Sequence, residues 1–556
     1  MALNKDFYRA LEDVVGKNNV SDDPAVTENY RSISAQTSAH YGPEESRTPR
    51  PLAVVLPGST EEVQQVIKLC NKYMVDFKAA STFWATMGYI GSDNAIQIDM
   101  IRMDNVTVDA KNMLAVIEPF AIGGTVQVEA MKNGLNCSMA GVGCSSSILA
   151  GTVGWNGLGP SSTFMGNAGE NMLGAEYVLP NGDILRTGTL GSEGEWFCGE
   201  GPGPSTRAII RGRTGTAGAM GICTKLAIRL HPWPGPKWIP VRGTAPLYQT
   251  DKLDCIRAYT ICFPDWNAFA KASQLFYEAD ILYLGHRQFN LFGRDIKTTM
   301  VEIFTHPEKQ FRDIPEVMAD PYIKEQNEQM AIDIQVILAG FTERDMDYKE
   351  KALDSIIEQT KAHRSEYYLQ QDIEDFVKLY LIRLARKNYN FTLCSSYEGH
   401  FGLSPNVWVA SPLVEEAADI KREWETEKTS IAAVGGDTAM GSISGMGGGG
   451  TSTWEFFVHF DAFEPDSIRG TKEHIDQSSQ WMASKGLGTD MGRGNVDLRK
   501  SDGYDYSQEE HDAIYSKLPQ PAIATYQWKI REAFNSNKLT GSYYRTLTPQ
   551  EYKGGE

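Results

Sequence analysis

A chain of 556 residues exceeds the about 250–300 residues at which one hydrophobic core stops growing, so two or more packed domains are expected. Its 41% hydrophobic and 22% charged residues are an ordinary globular composition, which excludes a disordered or fibrous class. The formal net charge of −18, with no run of Lys or Arg to track a phosphate backbone, argues against nucleic acid, and no segment reaches the ~18 consecutive apolar residues of a membrane span.

MALNKDFYRALEDVVG reads as an amphipathic helix without the basic and apolar regions of an export signal, so a cytoplasmic location is expected. A polar stretch over 31–50 precedes PLAVVLPGSTEEVQQVIKLCNKYMVDFKAA, read as strand, helix, strand. Its middle carries capping chemistry at Ser59, Thr60, Glu61 and Glu62, followed by Val63, Val66, Ile67 and Cys70 at helical spacing. AIQIDM and MLAVIEP are strands, and a helix near 124–133 ends at Asn133-Gly134. Residues 141–190 crowd glycine with small polar residues and read as a loop-dominated, ligand-contacting region. That region leads to the strand AEYVLP and a hairpin turn at Asn181-Gly182 before DILRTG.

GRTGTAGAMGICTKLAIRLHPWPGP runs from glycines into a strand, and its Pro-rich end marks a domain boundary. From about 238 to 485, strands and helices alternate without obvious internal repeats: FNLFGRDI, a charged helix at 308–330, DIQVILAGFT, the helix YKEKALDSIIEQTKAH and the strand TWEFFVHFDAF. Within it, GGDTAMGSISGMGGGGTS (435–452) reads as a flexible linker or mobile lid. PAIATYQWKIREAFNSNKL reads as a closing helix.

The eight cysteines form no CxxC pair and are read as reduced, mostly buried thiols. The nine histidines form no HxH or HxxxH pair, so no metal site is expected. The glycine-rich runs 141–159 and 164–188 let backbone approach a ligand closely, and Ser145, Ser146 and Ser147 add hydroxyls, which suits a pyrophosphate. Glycines that only make turns would leave the same pattern.

The ordered segments PLAVVLPGSTEEVQQVIKLCNKY, VIEPFAIGGTVQ, SILAGTVGWNGLGPSSTFMGNAGENMLGAEYVLPNGDILRTG and GTAGAMGICTKLAIRLHP resemble the FAD-binding domain of the vanillyl-alcohol oxidase and p-cresol methylhydroxylase superfamily, across about residues 50–233. The resemblance implies an α+β fold: a two-part PCMH-type FAD-binding domain (1–237), an α+β cap with an antiparallel sheet flanked by helices (238–485), and a C-terminal segment (486–556) returning to the FAD domain. Carried over residue by residue, Lys78, Ala79, Ala80, Ser81 and Thr82 form the first phosphate loop. Ser145, Ser146, Ser147, Ala150, Gly151, Thr152 and Gly154 form the second. Trp155 stands where the phenol-oxidising branch holds a carboxylate near the flavin, and Gly221 and Ile222 stand where the family contacts the adenine-side half of FAD.

In the cap, the order of LSPNVWVASPLVEEAADIKREWE, WEFFVHFDAFEPDS and SSQWMASKGLGTDMGRGNV is similar to that branch and makes Arg493 the candidate for binding negative charge on substrate or flavin. Gly492 replaces the branch's tyrosine before that arginine. His400, Tyr397 and His459 are candidates for moving the hydroxyl proton, His because it titrates near neutrality; each also suits an ordinary core position.

The implied function is an FAD-dependent oxidoreductase that moves hydride from a small alcohol, phenolic or 2-hydroxy-acid substrate to flavin N5. Electrons would pass to O2, a quinone, a cytochrome or an electron-transfer flavoprotein. Noncovalent FAD, no metal and a homodimer go with this reading. The alternatives are a non-redox flavin-adduct enzyme of the alkylglycerone-phosphate-synthase kind and a flavin electron-transfer subunit.

Overall fold

The computed structural model describes residues 3–31, 49–83, 88–90, 93–138, 146–155, 157, 161–187, 196, 220–239, 253–286, 332–365, 395–403, 444–447, 451–460 and 533–534. Two compact units are present: Met1–Gly157 with Ala168–His231 and Thr489–Glu556, and Leu158–Asn167 with Pro232–Gly488.

The first unit opens with α1 (Lys5–Val15), capped by the Asn4 side chain and burying Phe7, Leu11 and Val15 along one stripe. The short α2 (Pro24–Thr27) follows the strand β1 (Val20–Ser21). Next come β2 (Val54–Val55), α3 (Thr60–Tyr73), β3 (Asp76–Ala80) and β4 (Ala95–Asp99). At the start of α3 the capping chemistry is reciprocal: Ser59 Oγ accepts from Glu62 N–H, and the Glu62 carboxylate accepts from Gly58 N–H at 2.7 Å. The sheet order is β1-β2-β4-β3, with β4 parallel to both β2 and β3. Ile96 and Ile98 of β4 share a core with Phe7, Leu11, Val63, Val66 and Ile67 from α1 and α3.

The second sheet of this unit runs β5 (Val106–Asp109), β6 (Leu114–Ile117), β10 (Ile222–Pro232), β8 (Met172–Val178) and β9 (Ile184–Arg186), with β7 (Leu135–Cys137) also on β10. The β8–β9 hairpin turns at Asn181-Gly182, where Gly182 has φ +88° and Asp183 N–H donates to the Asn181 side chain. Helices α4 (Gly123–Lys132) and α5 (Ile148–Trp155) contribute Val126, Ala130, Ile148, Leu149 and Val153 to the core.

Helix α5 corrects the expectation that 141–190 is dominated by loops. Thr152 is its one polar residue, so it has no polar face to reveal helical periodicity, and burial of Ile148, Leu149 and Val153 outweighs the cost of Gly151 and Gly154 in its interior.

His231, near the end of β10, places Nε2 2.7 Å from Asn171 Oδ1, and both residues are buried. Burial, with a smaller push from Arg229, lowers its pKa to about 4, below the ordinary 6.5, so the folded chain holds it neutral. A base with a depressed folded pKa contributes stability that is complete above pH 6.5 and is lost as pH falls from there to about 4. Urea midpoints compared at pH 7.5 and pH 5 should fall more for the native chain than for His231→Gln; equal falls would reject this role.

The second unit contains β11 (Ile256–Cys262), α6 (Trp266–Ala279) and β12 (Leu284–His286), then β13 (Asp333–Ala339), α7 (Glu343–Thr360) and β14 (His363–Arg364). The order β12-β13-β11-β14, all antiparallel, makes two interlocked β-α-β halves, a split ferredoxin-like arrangement. The halves share devices. Asp265 and Thr342 cap the two helices through their side chains, and Asp280 and Lys361 end them in the left-handed conformation. This is a repeat that sequence reading missed, because it lies in strand order and capping roles rather than in matching residues. Ile261, Ile334, Val336 and Leu338 pack beneath Phe269, Phe276, Leu353 and Ile356 of the helices.

A further sheet is formed by β15 (Ser395–Leu403), β17 (Thr451–Phe460) and β16 (Ser444–Gly447). Part of the segment expected to be a linker or lid is therefore a strand. Ser444 pairs with Thr453 and Gly447 with Thr451, so neighbouring β17 supplies the order that a glycine-rich sequence lacks locally. Residues 435–443 and 448–450 lie outside the described residues, as do 308–330 and FNLFGRDI. Of the closing helix, Ala533 and Phe534 are described, and Phe534 packs against the β10 core.

Candidate cofactor site

The segment expected to form the first phosphate loop, Lys78–Thr82, begins inside a strand. Lys78, Ala79 and Ala80 belong to β3 and pair with Gln97, Ile98 and Asp99 of β4, so the chain leaves the ladder at Ser81. Thr82 follows, and then Phe83 at φ +48°, a left-handed conformation uncommon for an aromatic residue. Phe83 lies between Tyr30 and Tyr89, with ring centroids at 5.4 and 5.0 Å. The Tyr30 hydroxyl donates to Asp99 Oδ2 at 2.7 Å. Burial pushes the Asp99 carboxyl above its ordinary value against the opposing pull of that hydroxyl, and burial also raises the Tyr30 phenol.

The segment expected to form the second phosphate loop meets the first, since Ser147 N–H donates to Thr82 Oγ1 at 3.3 Å. Ser147 opens α5: its Oγ accepts from Ala150 N–H at 3.0 Å and donates to Pro119 O at 2.6 Å. Its hydroxyl is therefore engaged in fixing the helix entry. Ser146 is buried, and its carbonyl accepts from Gly123 N–H, which ties the start of α4 to the same corner. Thr152 turns its hydroxyl back onto Ile148 O, as helix-interior threonines do. Ala150 and Gly151 are partly exposed, and an ideal Cβ at Gly154 would meet nothing within 4 Å. Trp155 ends the helix, and Ser145 lies outside the described residues.

Gly221 stands at φ +85° and leads into Ile222, which pairs with Val178. Small side chains at Ala79, Ala80, Ser81, Gly151 and Gly154, with the contact between Thr82 and Ser147, leave room for backbone to approach an elongated dinucleotide, so these residues fit FAD sterically.

The proton-transfer candidates come together in one sheet of the second unit. His400 pairs with Glu455, Tyr397 with Val458, and His459 with Ser396. Arg493 lies outside the described residues. Near the cofactor segments, Cys137 and Cys223 are buried free thiols, and burial pushes that of Cys137 up to about 12, so it serves packing rather than reactivity. No helix among the described residues is long and apolar enough to cross a membrane.

Sequence reading passed over Gln97. Its amide nitrogen donates to both Lys78 O and Gly88 O at 3.0 Å from a fully buried position. The available signal was a polar residue inside the otherwise apolar AIQI run.

Residues 51–188 match the FAD binding domain family. The chain is 28% identical over 224 residues to an uncharacterized FAD-linked oxidoreductase of Mycobacterium tuberculosis, covering 40% of this chain and 45% of that protein. It is 30% identical over 203 residues to the 4-cresol dehydrogenase [hydroxylating] flavoprotein subunit of Pseudomonas putida, covering 34% and 37%. The matches thus span less than half the length of these curated relatives. In fold, it is similar to 4-ethylphenol oxidase from Gulosibacter chungangensis, with a TM-score of 0.68 at 16% identity over 98% of this chain and 97% of that one. It is also similar to alkyldihydroxyacetonephosphate synthase, with a TM-score of 0.62 at 16% identity over 98% and 85%.

Proposed function

Given an FAD binding domain over residues 51–188 and the fold of the vanillyl-alcohol oxidase and p-cresol methylhydroxylase superfamily, we propose that this protein is an FAD-dependent oxidoreductase acting on a small alcohol, phenolic or 2-hydroxy-acid substrate. The observation that carries the reading is the meeting of Thr82 and Ser147, which joins two separate segments of the matched domain at one small-residue corner. Bound noncovalently at the Lys78–Thr82, Ser145–Trp155 and Gly221–Ile222 segments, FAD supplies the two-electron redox chemistry. The protein's part is orientation and charge. Arg493 binds the negative charge of a phenolate or carboxylate, while His400, Tyr397 or His459 takes the hydroxyl proton. The electrons pass to O2, a quinone, a cytochrome or an electron-transfer flavoprotein. A cytoplasmic homodimer completes the proposal.

The test is a visible spectrum of the purified protein, followed by anaerobic addition of aryl alcohols, phenols and 2-hydroxy acids. The expected result is a yellow protein, released of its colour by acid precipitation and bleached by one of these substrate classes. A colourless protein that cannot be reconstituted with FAD overturns the reading. Colour without bleaching by any of the three classes favours the flavin-adduct or electron-transfer alternatives.

A further inference from the structure

Gln97 occupies the centre of β4, where its neighbours Ile96 and Ile98 are buried in the core shared with α1 and α3. It is 0% exposed, and its two amide hydrogens serve carbonyls nine residues or more away: Lys78 O on the outgoing limb, still within β3, and Gly88 O on the returning limb, each at 3.0 Å. The limbs lie against each other, since a Cβ at Gly88 would come within 3.0 Å of the Ala80 Cβ. Ala80 O is held in turn by Met100 N–H at 2.9 Å. Between the pinned ends stand Ser81 and Thr82, the latter in contact with Ser147.

The amide comes at a cost. Gln97 Oε1 is buried without a hydrogen-bond partner among the described residues, and such a group costs about 1–3 kcal/mol. A methionine or leucine in this apolar strand would avoid that cost, so what distinguishes glutamine here is the pair of bonds to Lys78 O and Gly88 O. A phosphate-gripping segment whose return limb is loose must be ordered when its ligand arrives, and the lost freedom is taken from affinity.

We propose that Gln97 is a positioning residue for FAD: by tying Gly88 to Lys78 it fixes the backbone that Ser81 and Thr82 present to the pyrophosphate. This rests on the reading of that segment as a phosphate site, and the two can be separated. The measurement uses full-length apoprotein, with FAD affinity from quenching of flavin fluorescence, ADP affinity from competition, and unfolding temperature recorded alongside.

Q97M keeps size and removes both donors; the Kd for FAD and for ADP should each rise about tenfold, equivalent to 1.4 kcal/mol, while the unfolding temperature of the apoprotein holds or rises. Unchanged affinities overturn the proposal whatever the unfolding temperature does, because a purely structural role predicts a shift in stability alone. Should Q97M not fold, Q97E decides the matter: protonated, it keeps one donor and should show an intermediate affinity, and native affinity again overturns the proposal. A80D places a carboxylate at the pinned limb and should abolish binding of both ligands. A folded A80D that binds FAD like the native chain rejects the phosphate reading itself, whereas loss of binding in A80D with native affinity in Q97M rejects only the role of Gln97.

Discussion

Gly221→Ala is expected to destabilise the first unit by about 3 kcal/mol or more, enough to deplete the folded protein on expression. At φ +85° the residue sits where a side chain is strained, and its added Cβ would fall 2.2 Å from Val178 O and 3.1 Å from the Leu179 backbone. Neither can retreat. Val178 is paired on both sides, with Ile222 of β10 and Ile184 of β9, and Leu179 N–H is bonded to Asp183 O in the hairpin turn. The strand entered after Gly221 is β10, which pairs with β6, β7 and β8, so a displaced entry disturbs the middle of the sheet. Urea unfolding followed by circular dichroism measures the effect, and a variant with native stability would show that the backbone relaxes more cheaply than this packing implies. The conformational demand accounts for the glycine on its own, whether or not the position also touches FAD.

The second large effect is expected at Glu176 of β8. Its carboxylate is 3% exposed and accepts from Thr60 at the first turn of α3 at 2.9 Å, from Arg186 of β9 at 2.8 Å and from Thr224 of β10 at 3.3 Å. Lys225 stands 3.6 Å away. One buried carboxylate thereby ties the helix of the first sheet to three strands of the second. Glu176→Ala strands the Thr60 hydroxyl, which is 2% exposed, and should cost about 3 kcal/mol. Arg186→Ala should cost about 1 kcal/mol, because the arginine side chain is 51% exposed and water screens the pair.

Burial pushes the Glu176 carboxyl upward, but Arg186, Thr60 and Lys225 together outweigh it and hold it below its ordinary value. A carboxylate with a depressed folded pKa contributes stability that is present above the unfolded value of 4.5 and is lost as pH falls below it. Glu176→Gln should therefore show a smaller loss between pH 6 and pH 3.5 than the native chain, and parallel losses would exclude this contribution. The His231 effect occupies the higher window, so the two variants separate along the pH axis.

The legible parts of this protein are those whose signal is local. Ser59 and Glu62 announce the start of α3 because capping involves residues three apart, and Asn181-Gly182 announces a hairpin because only certain residues take positive φ cheaply. The order of the glycine-bearing segments carried enough information to identify an FAD binding domain. The candidates in the second unit were less legible, since a lone His400 or His459 in a strand has the same local pattern whether it serves chemistry or packing.

The sequence by itself determined the class of cofactor, the strand and cap pattern around residues 54–80, the hairpin at 181–182 and the strand over 222–232, and the α+β character of the chain. Tertiary structure alone decided that Ile148–Trp155 is a helix, that Ser444–Gly447 is a strand, and that Gln97 bonds both Lys78 O and Gly88 O. The physical reason is the same in each case. The helix is stabilised by burial of Ile148, Leu149 and Val153, the strand by hydrogen bonds from β17, and Gln97 by carbonyls nine or more residues away, so the stabilising partners lie beyond the reach of any local pattern.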